Sequence, residues 1–406
     1  MASAKSPKRP VAAVVLAAGD GTRMLSQIPK VLHALYGKPL IGHVLDAIRG
    51  AGVPRVIAVI GYRSEMVRKQ LGPSVETVVQ RQLKGTAHAV IQARERLHRF
   101  AGDLLVLYGD TPLITSQTVR GLLDTHHREQ AAVTLLTANL KEPTGYGRIV
   151  RDYTGQIVRI VEDVDATPVE KAIDEINVGA YCFNSRALFE ALRQVRPAPN
   201  GEYYLTDVIA TLVKQGQKVA SASTRSVGEF LGINSRADLA RVQTVMRTRI
   251  LEQFMLAGVT IVDPYTTYIY QGASIGQDTV IYPNTVIEDH VVIGRGCHVG
   301  PFCRLGPGTR LKDHVRVASF VDVSGRVTVG TGASLASGTV LVGPLAIGPH
   351  ETTLPGSVRF GRRGRQRAFG VVRVPVTAES GRFSLEEAKP RAVSARRQAG
   401  HARADA

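Results

Sequence analysis

The pattern of hydrophobic and polar positions changes once along the chain, after about residue 257. From residue 11 to about 230, short apolar runs alternate with segments of helical periodicity. The apolar runs cover residues 11–16, 56–60, 104–107 and 132–136, and the helical segments cover 40–50, 87–99, 116–128 and 186–195. This alternation predicts an α/β domain with a largely parallel, Rossmann-like sheet. Residues 235–257 predict a connecting helix.

A six-residue repeat replaces the helical pattern beyond that helix. Every sixth position from Ile269 to Ile347 is aliphatic, and the position two residues earlier is mostly small or β-branched. This period is typical of a parallel β-helix, in which each flat side contributes one large and one small side chain to a shared core. Cys297 and Cys303 occupy small positions, so we interpret them as core residues rather than reactive thiols. If three hexapeptides form one triangular turn, as in known left-handed β-helices, the repeat supplies between four and five turns.

The net charge of +17 is concentrated at the two ends of the chain. Residues 351–406 hold twelve Lys or Arg against five Asp or Glu. We interpret this segment as a solvated, disordered basic tail and do not expect nucleic-acid binding, although contact with RNA, anionic lipid or another acidic surface stays open. The sequence contains no apolar run long enough to span a membrane, and its three cysteines form no CxxC pair. Both features favour a reduced, cytoplasmic setting.

Residues 14–33, VVLAAGDGTRMLSQIPKVLH, lead from an apolar strand into a turn with two glycines, followed by Arg23 and Lys30. Glycine lets main-chain N–H groups approach a phosphate closely, and the two cations suit a di- or triphosphate. The pattern is neither GxxxxGK[ST] nor GxGxxG, so it does not indicate a P-loop NTPase or a dinucleotide enzyme. These residues alone leave open an ordinary strand-to-helix turn with two surface cations.

The stretch as a whole resembles the opening signature of sugar-1-phosphate nucleotidylyltransferases, L-x-x-G-x-G-T-R-M followed by P-K. Within that family the resemblance is greatest to the bacterial uridylyltransferases of N-acetylglucosamine 1-phosphate, which carry a hexapeptide β-helix. Further phrases follow in the expected order: QRQLKGTAHAV (80–90), LYGDTPLI (107–114), YGRIV (146–150), IVEDVDA (160–166), EINVGAYCF (175–183), NGEYYLTDVI (200–209) and GINSRADL (232–239). The resemblance extends over roughly residues 11–350 and covers both predicted domains.

The resemblance implies a nucleotide pocket, a sugar-phosphate pocket and a Mg²⁺ site. For the nucleotide, it implies Leu16, Ala17, Ala18, Gly19, Tyr108 and Gly109 as pocket residues, Gln80, Gly85 and Thr86 as readers of the uracil edge, and Arg23 and Lys30 as catalytic cations on the triphosphate. For the sugar phosphate, it implies Gly147, Glu162 and Asn177, with Tyr203 and Thr206 as weaker candidates. For Mg²⁺ it implies Asp110 and Asn234, which are hard oxygen ligands. Taken singly, Gln80 also fits a surface amide and Asp110 a helix N-cap.

The implied reaction is Mg²⁺-dependent transfer of UMP from UTP to N-acetylglucosamine 1-phosphate. A sugar-phosphate oxygen attacks the α-phosphorus in line and pyrophosphate leaves. Because the nucleophile is already an anion, the reaction needs alignment and charge neutralisation rather than a Ser/His/Asp or Cys/His arrangement. Two alternatives stay open: a nucleotidylyltransferase for another sugar 1-phosphate or nucleotide, and a non-catalytic β-helix scaffold that binds a nucleotide sugar.

The second domain departs from the family pattern, in which the β-helix also acetylates glucosamine 1-phosphate. The arginine expected within RLGPG (304–308) is Gly306, and the K-x-G-H segment that carries the family's catalytic histidine is absent. We therefore expect no acetyltransferase activity, and we interpret His290, His298, His314 and His350 as exposed or capping residues. The resemblance implies a homotrimer formed through the β-helix. The predicted division is a flexible N-terminus (1–10), the nucleotidyltransferase domain (11–234), a linker helix region (235–262), a left-handed β-helix (263–352) and the basic tail (353–406).

Overall fold

The computed structural model describes residues 9–224 and 227–361. Most of the predicted N-terminal segment and the predicted tail beyond residue 361 lie outside the described residues.

The strands of the first domain are β1 (Val11–Ala17), β2 (Ala34–Leu35), β3 (Lys38–Pro39), β4 (Arg55–Ile60), β5 (Glu76–Val79), β6 (Asp103–Tyr108), β7 (Val133–Asn139), β8 (Arg148–Arg151), β9 (Ile157–Val161), β10 (Glu175–Asn184) and β11 (Val219–Ser223). The α-helices are α1 (Leu40–Gly50), α2 (Ser64–Leu71), α3 (Thr86–Gln92), α4 (Arg94–Leu97), α5 (Ser116–Glu129), α6 (Pro168–Lys171), α7 (Ser185–Leu192), α8 (Asp207–Lys214) and α9 (Arg236–Leu256). Short 3₁₀ segments cover Thr22–Met24, Lys30–Leu32 and Val227–Phe230.

The first domain is built on one mixed sheet with the order β11-β7-β10-β6-β1-β4-β5. Strand β1 lies parallel to both β4 and β6, and β10 runs antiparallel between β6 and β7. Strands β8 and β9 form an antiparallel extension beside β10. The central strands are buried along almost their whole length, as expected for a sheet with helices on both faces. The predicted α/β class is confirmed, with the antiparallel β10 as the main departure from a parallel sheet.

The helical predictions follow the observed helices closely. The segment 40–50 is α1, and 116–128 and 186–195 correspond to α5 and α7. The segment 87–99 divides into two short helices, α3 and α4. The predicted connecting helix is α9. Ser235 caps its N-terminus, and the Ser235 hydroxyl and the Asp238 carboxylate form a capping box.

The second domain is a parallel β-helix, as the repeat predicts. Its strands are β12 (Thr260–Ile261), β13 (Tyr268–Ile269), β14 (Ser274–Ile275), β15 (Val280–Ile281), β16 (Val286–Ile287), β17 (Val292–Ile293), β18 (His298–Val299), β19 (Arg304–Leu305), β20 (Arg310–Leu311), β21 (Arg316–Val317), β22 (Asp322–Ser324), β23 (Val327–Val329), β24 (Ser334–Leu335), β25 (Val340–Val342), β26 (Leu345–Ile347) and β27 (Val358–Phe360). They form three sheets, in each of which a strand pairs in parallel with a strand one turn of the coil later. Ile269 pairs with Ile287 and Ile275 with Ile293, so one turn holds three hexapeptides.

The coil core consists of the side chains that the repeat selects. The large aliphatic positions are buried except for the half-buried Ile275 near the start of the coil. The thiols of Cys297 and Cys303 are buried and donate to the carbonyls of Lys312 and Ala318 at 3.1 and 3.0 Å. Burial raises the pKa of both thiols. Both cysteines are therefore core residues, as predicted.

The coil extends slightly beyond its predicted limits. Strand β12 lies within the predicted linker and pairs with β15, and β27 lies within the predicted tail and pairs with β25. The hand of the coil stays a prediction. Among the described residues, no helix combines the length and the hydropathy needed to cross a bilayer.

The corners of the coil account for three of the four histidines noted in the sequence. His290, His314 and His350 are exposed and adopt positive φ values of 60°, 60° and 54°. The rings of His314 and His350 lie against Gly296 and Gly332 of the preceding turn, where a Cβ would come within 2.7 and 2.5 Å of the imidazole. His298 is half-buried and stacks on Tyr282. These positions agree with structural roles at the coil surface.

Candidate active site

A cavity of about 420 Å³ opens at the carboxyl ends of β1 and β6. Ligands of open α/β sheets usually bind at this edge. The lining residues include the predicted Mg²⁺ ligand Asp110 and most of the predicted nucleotide residues: Leu16, Ala17, Ala18, Gly19, Lys30, Gln80, Gly85, Thr86 and Tyr108. Asp20, Val31, Leu83, Ala89 and Glu202 complete the lining. Asp20 lies inside the glycine turn and Glu202 inside the NGEYYLTDVI phrase, and the sequence analysis gave neither a role.

Lys30, Asp110 and Asn234 converge at one end of this cavity. The Lys30 Nζ lies 2.5 Å from Asp110 Oδ2 and 3.0 Å from Asn234 Oδ1. Lys30 begins a 3₁₀ segment after Pro29, and Asp110 follows the end of β6. The backbone N–H of Ile233 donates to the Asp110 carbonyl at 3.0 Å, which holds the segment before α9 against the end of β6. Three residues far apart in the sequence thus form one charged cluster.

Arg23 lies apart from this cluster. It is exposed on the 3₁₀ segment Thr22–Met24, does not line the cavity and forms no ion pair within the described residues. The neighbouring Met24 is buried, and both residues that flank this segment, Gly21 and Leu25, have left-handed backbone conformations. Burial of Met24 therefore leaves the adjacent Arg23 on the solvent side. The structure brings together only one of the two predicted catalytic cations with the predicted metal ligands.

Gln80 is 4% exposed, and its amide orientation is fixed by its neighbours. Its Nε2 donates to the Gly85 carbonyl at 3.1 Å and lies 2.9 Å from His88 Nδ1. Because the Gly85 carbonyl can only accept, the Gln80 Oε1 is the atom left without a partner among the described residues. Burial lowers the pKa of His88, so the imidazole is neutral and can accept from Gln80 at neutral pH. With Nε2 used in these contacts, the Gln80 acceptor is the group available to a ligand.

Gly85 lines the cavity and also packs against the backbone of Tyr203. It has a φ of +88°, and a Cβ at this position would lie 2.6 Å from the carbonyl oxygen of Tyr203. The missing side chain therefore permits close packing against the backbone of residue 203. The adjacent Thr86 Oγ1 accepts from the Leu205 N–H at 2.9 Å. Residues 85–86 form one wall of the cavity, and residues 203–205 pack against them.

Tyr108 joins this cavity to the predicted sugar-phosphate residues. It is half-buried, and its ring packs against Gly179, whose φ is +81°. Burial and the nearby Glu162 carboxylate raise its pKa. Glu162 accepts from the Thr206 hydroxyl at 2.9 Å, and burial raises the pKa of the Glu162 carboxyl above its usual range. Thr206, a weaker candidate in the sequence, thus contacts Glu162, one of the three main candidates.

The remaining sugar-phosphate candidates are near Glu162 but do not line the cavity. Gly147 is buried, and a Cβ there would lie 3.5 Å from Glu162 Oε2. Asn177 Nδ2 donates to the Tyr181 hydroxyl at 2.7 Å, and Asn177 Oδ1 accepts from the Gly179 N–H at 3.2 Å. The Asn177 amide therefore stabilises an irregularity in β10. Gly109 is also buried behind the cavity, where its N–H donates to Leu16.

A buried ion pair that the sequence analysis missed lies beneath the sugar-phosphate candidates. Arg148, 2% exposed, places Nη2 3.0 Å from Asp163 Oδ1 and donates from Nη1 to the Tyr146 carbonyl. Arg148 directly follows Gly147, and Asp163 directly follows Glu162. The only sequence signal was the presence of a cation and an anion inside two quoted phrases.

The donor set at the charged cluster fits a hard cation. The Asp110 and Asn234 oxygens point at one position, which the Lys30 ammonium fills. The described residues hold no group of three or more His, Cys, Asp or Glu side chains that could bind a metal. A Mg²⁺ ion bound with nucleotide typically takes one or two protein oxygens and completes its shell with phosphates and waters. Asp110 and Asn234 stay the predicted Mg²⁺ ligands.

Comparison with known proteins gives matches in both domains. The chain matches the nucleotidyl transferase family over residues 12–229 and the bacterial transferase hexapeptide (six repeats) family over residues 272–307. It is 49% identical over 272 residues to the bifunctional protein GlmU of Halalkalibacterium halodurans and 46% identical over 274 residues to that of Pelotomaculum thermopropionicum. Each alignment covers 67% of this chain and 60% of the relative, so the matched region spans about three fifths of the relatives' length. The chain belongs to the nucleotidyl transferase family.

Proposed function

We propose that this chain transfers UMP from UTP to N-acetylglucosamine 1-phosphate, with release of pyrophosphate, in a Mg²⁺-dependent reaction. The observation that carries the proposal is the convergence of Lys30 on Asp110 and Asn234 at one end of a cavity that holds most of the predicted nucleotide residues. The similarity to bifunctional GlmU proteins supports the same activity.

Different residues of the chain would recognise the base and bind the phosphates. The free acceptor of Gln80 suits a base that offers an N–H, as the N3–H of uracil does, and disfavours cytosine, whose N3 only accepts. The Lys30 ammonium provides the positive charge that binds the triphosphate. Arg23 stays a predicted phosphate ligand, but its exposed position leaves Lys30 as the basis of the proposal.

The reaction needs little covalent assistance from the protein. The sugar phosphate is an anion at neutral pH, so the barrier comes from aligning two polyanions and neutralising their repulsion. Asp110 and Asn234 would hold Mg²⁺, which supplies Lewis-acid neutralisation of the phosphates when bound. Lys30 adds a fixed cation at the same edge of the sheet. Glu162 and Thr206 would accept and donate hydrogen bonds to sugar hydroxyls.

A pyrophosphate-release assay tests the proposal. UTP, dTTP, CTP, GTP and ATP are each combined with N-acetylglucosamine 1-phosphate, glucose 1-phosphate and N-acetylgalactosamine 1-phosphate. We expect the UTP and N-acetylglucosamine 1-phosphate pair to have the highest kcat/KM. Another preferred pair would indicate a different nucleotidylyltransferase, and no turnover with any pair would favour the binding scaffold.

A matched pair of lysine variants tests the assignment of the site. Lys30→Ala removes a charge inside the cavity, and loss of one well-placed charged donor typically lowers the rate on the order of 100-fold. Lys38→Ala is the control, because Lys38 is also paired with a carboxylate, Asp46, but on the surface. Near wild-type kcat/KM in Lys30→Ala would contradict the assignment.

The function of the β-helix is proposed separately. We infer that the coil assembles the chain into a homotrimer and that the protein lacks acetyltransferase activity. Light scattering of the purified full chain tests the first statement. Release of free CoA from acetyl-CoA in the presence of glucosamine 1-phosphate tests the second, and measurable turnover would refute it.

A further inference from the structure

The Lys30 ammonium occupies the position where the two predicted metal ligands meet. It contacts both the Asp110 and the Asn234 oxygens, and the side chains of Lys30 and Asp110 are only 14% and 18% exposed. Lys30 pairs with no other carboxylate among the described residues. The charge of Asp110 is therefore balanced within the protein before any ligand binds.

A divalent cation and this ammonium cannot hold the same oxygens together. Mg²⁺ binds oxygen at about 2.0–2.1 Å, and a second cation within hydrogen-bond distance of the same two oxygens would be strongly repelled. Entry of a divalent cation that uses both Asp110 Oδ2 and Asn234 Oδ1 must therefore move the Lys30 ammonium away from these two oxygens. The Lys30 side chain itself lines the cavity and lies against Gly21 of the glycine turn, so a displaced ammonium remains within the nucleotide pocket.

We propose that Lys30 is the resident counter-cation of the Asp110–Asn234 oxygen pair and exchanges with the divalent cation when the nucleotide binds. This inference rests on the proposed function, because it assumes a metal–nucleotide complex as ligand. In the free protein, Lys30 competes with the metal and keeps its affinity low. In the complex, the phosphates provide a new partner for the ammonium, so the cost of displacing it largely disappears. Metal affinity and nucleotide affinity are then coupled, and each raises the other.

The exchange predicts that a variant without the lysine binds metal better. Mn²⁺ titrations without nucleotide, read from the EPR signal of free Mn²⁺, compare the wild-type full chain with Lys30→Met. A hydrogen bond between charged groups must be broken in the wild type only, so we expect Lys30→Met to bind Mn²⁺ at least about tenfold more tightly. Lys38→Met, which removes the surface partner of Asp46, should bind Mn²⁺ like the wild type.

Two further Mn²⁺ titrations test whether the increase in Mn²⁺ affinity arises at Asp110 and whether it depends on nucleotide. The double variant Lys30→Met/Asp110→Ala should lose the gain in affinity, since the carboxylate is then gone. A non-hydrolysable UTP analogue should increase the Mn²⁺ affinity of the wild type and narrow the difference between wild type and Lys30→Met. If Lys30→Met does not fold, as judged by circular dichroism, Lys30→Gln carries the same expectation.

Mn²⁺ affinity in the Lys30 variants that equals or falls below that of the wild type would overturn the proposal. This outcome is independent of turnover. If the wild type transfers no nucleotidyl group but the Lys30 variants bind Mn²⁺ more tightly, the proposed function fails and the counter-cation role stands. If the wild type is active and the affinities are equal, the proposed function stands and the counter-cation role fails.

Discussion

Removal of the Asp163 carboxylate should be one of the most destabilising single changes near the site. Arg148 is 2% exposed, and among the described residues its Nε has no hydrogen-bond partner and Asp163 is the one carboxylate paired with it, so Asp163 neutralises this buried charge. Removing one partner of a buried pair costs about 3–5 kcal/mol, because the other charge is left uncompensated. Asp163 itself is 25% exposed, which places Asp163→Ala near the lower limit. A loss of about 3 kcal/mol lowers the folding equilibrium constant roughly 150-fold.

The measurement is urea unfolding monitored by circular dichroism, because the chain contains no tryptophan to provide a fluorescence signal. The control is Glu190→Ala, which breaks an exposed pair with Arg186 on α7 and should cost less than about 1 kcal/mol. The double variant Arg148→Met/Asp163→Ala should be more stable than Asp163→Ala alone, since no unpaired charge then stays buried. The reasoning is refuted if Asp163→Ala matches the Glu190→Ala control or if the double variant is the less stable of the two.

The same ion pair should affect one substrate more than the other. Arg148 and Asp163 join the segments that carry Gly147 and Glu162, whereas the nucleotide cavity is formed by other segments. Under the proposed function, the charge-neutral pair Arg148→Met/Asp163→Ala should therefore raise KM for the sugar phosphate while leaving KM for UTP nearly unchanged.

Three further substitutions have defined outcomes. The pKa of the Glu162 carboxyl in the folded protein is raised above 4.5, so its ionisation lowers the free energy of unfolding as the pH rises from 4.5 through the folded pKa. Glu162→Gln should therefore be more stable than the wild type at pH 7 and equally stable below about pH 4. Urea unfolding at both pH values measures the difference. Gly85→Ala places a Cβ against the Tyr203 carbonyl at a positive φ, so we expect a loss of about 1–3 kcal/mol in the free energy of unfolding. We also expect weaker UTP binding by calorimetry. An unchanged Kd for UTP would show that the cavity wall at residues 85–86 is not rigid. Leu305→Ala empties a fully buried position between two turns of the coil and should cost about 2–5 kcal/mol in the same unfolding assay, against little change for the exposed Arg310→Ala.

Local patterns determined most of what the sequence predicted correctly. The boundaries of α1 follow from a period of 3.6 residues, and the burial of the coil positions follows from a period of six residues. Both periods can be read from residues close together in the sequence. The position of β10 between β6 and β7 was not predicted, because strand order depends on packing between distant segments. The contact that forbids a side chain at Gly85 was not predicted for the same reason, since the atom involved belongs to Tyr203.

The motifs predicted the members of the charged cluster but not their arrangement. Motifs identified Lys30, Asp110 and Asn234 as members of one site, but they could not indicate that the lysine fills the position between the two oxygens. That arrangement depends on the backbone bond from Ile233 to Asp110 and on α9, which starts just after Asn234. Helix α9 packs in one hydrophobic core with the first turns of the coil through residues such as Met246 and Ile250. One of the two predicted metal ligands is therefore anchored by the second domain, so the β-helix contributes to the geometry of the site whether or not it carries an activity of its own.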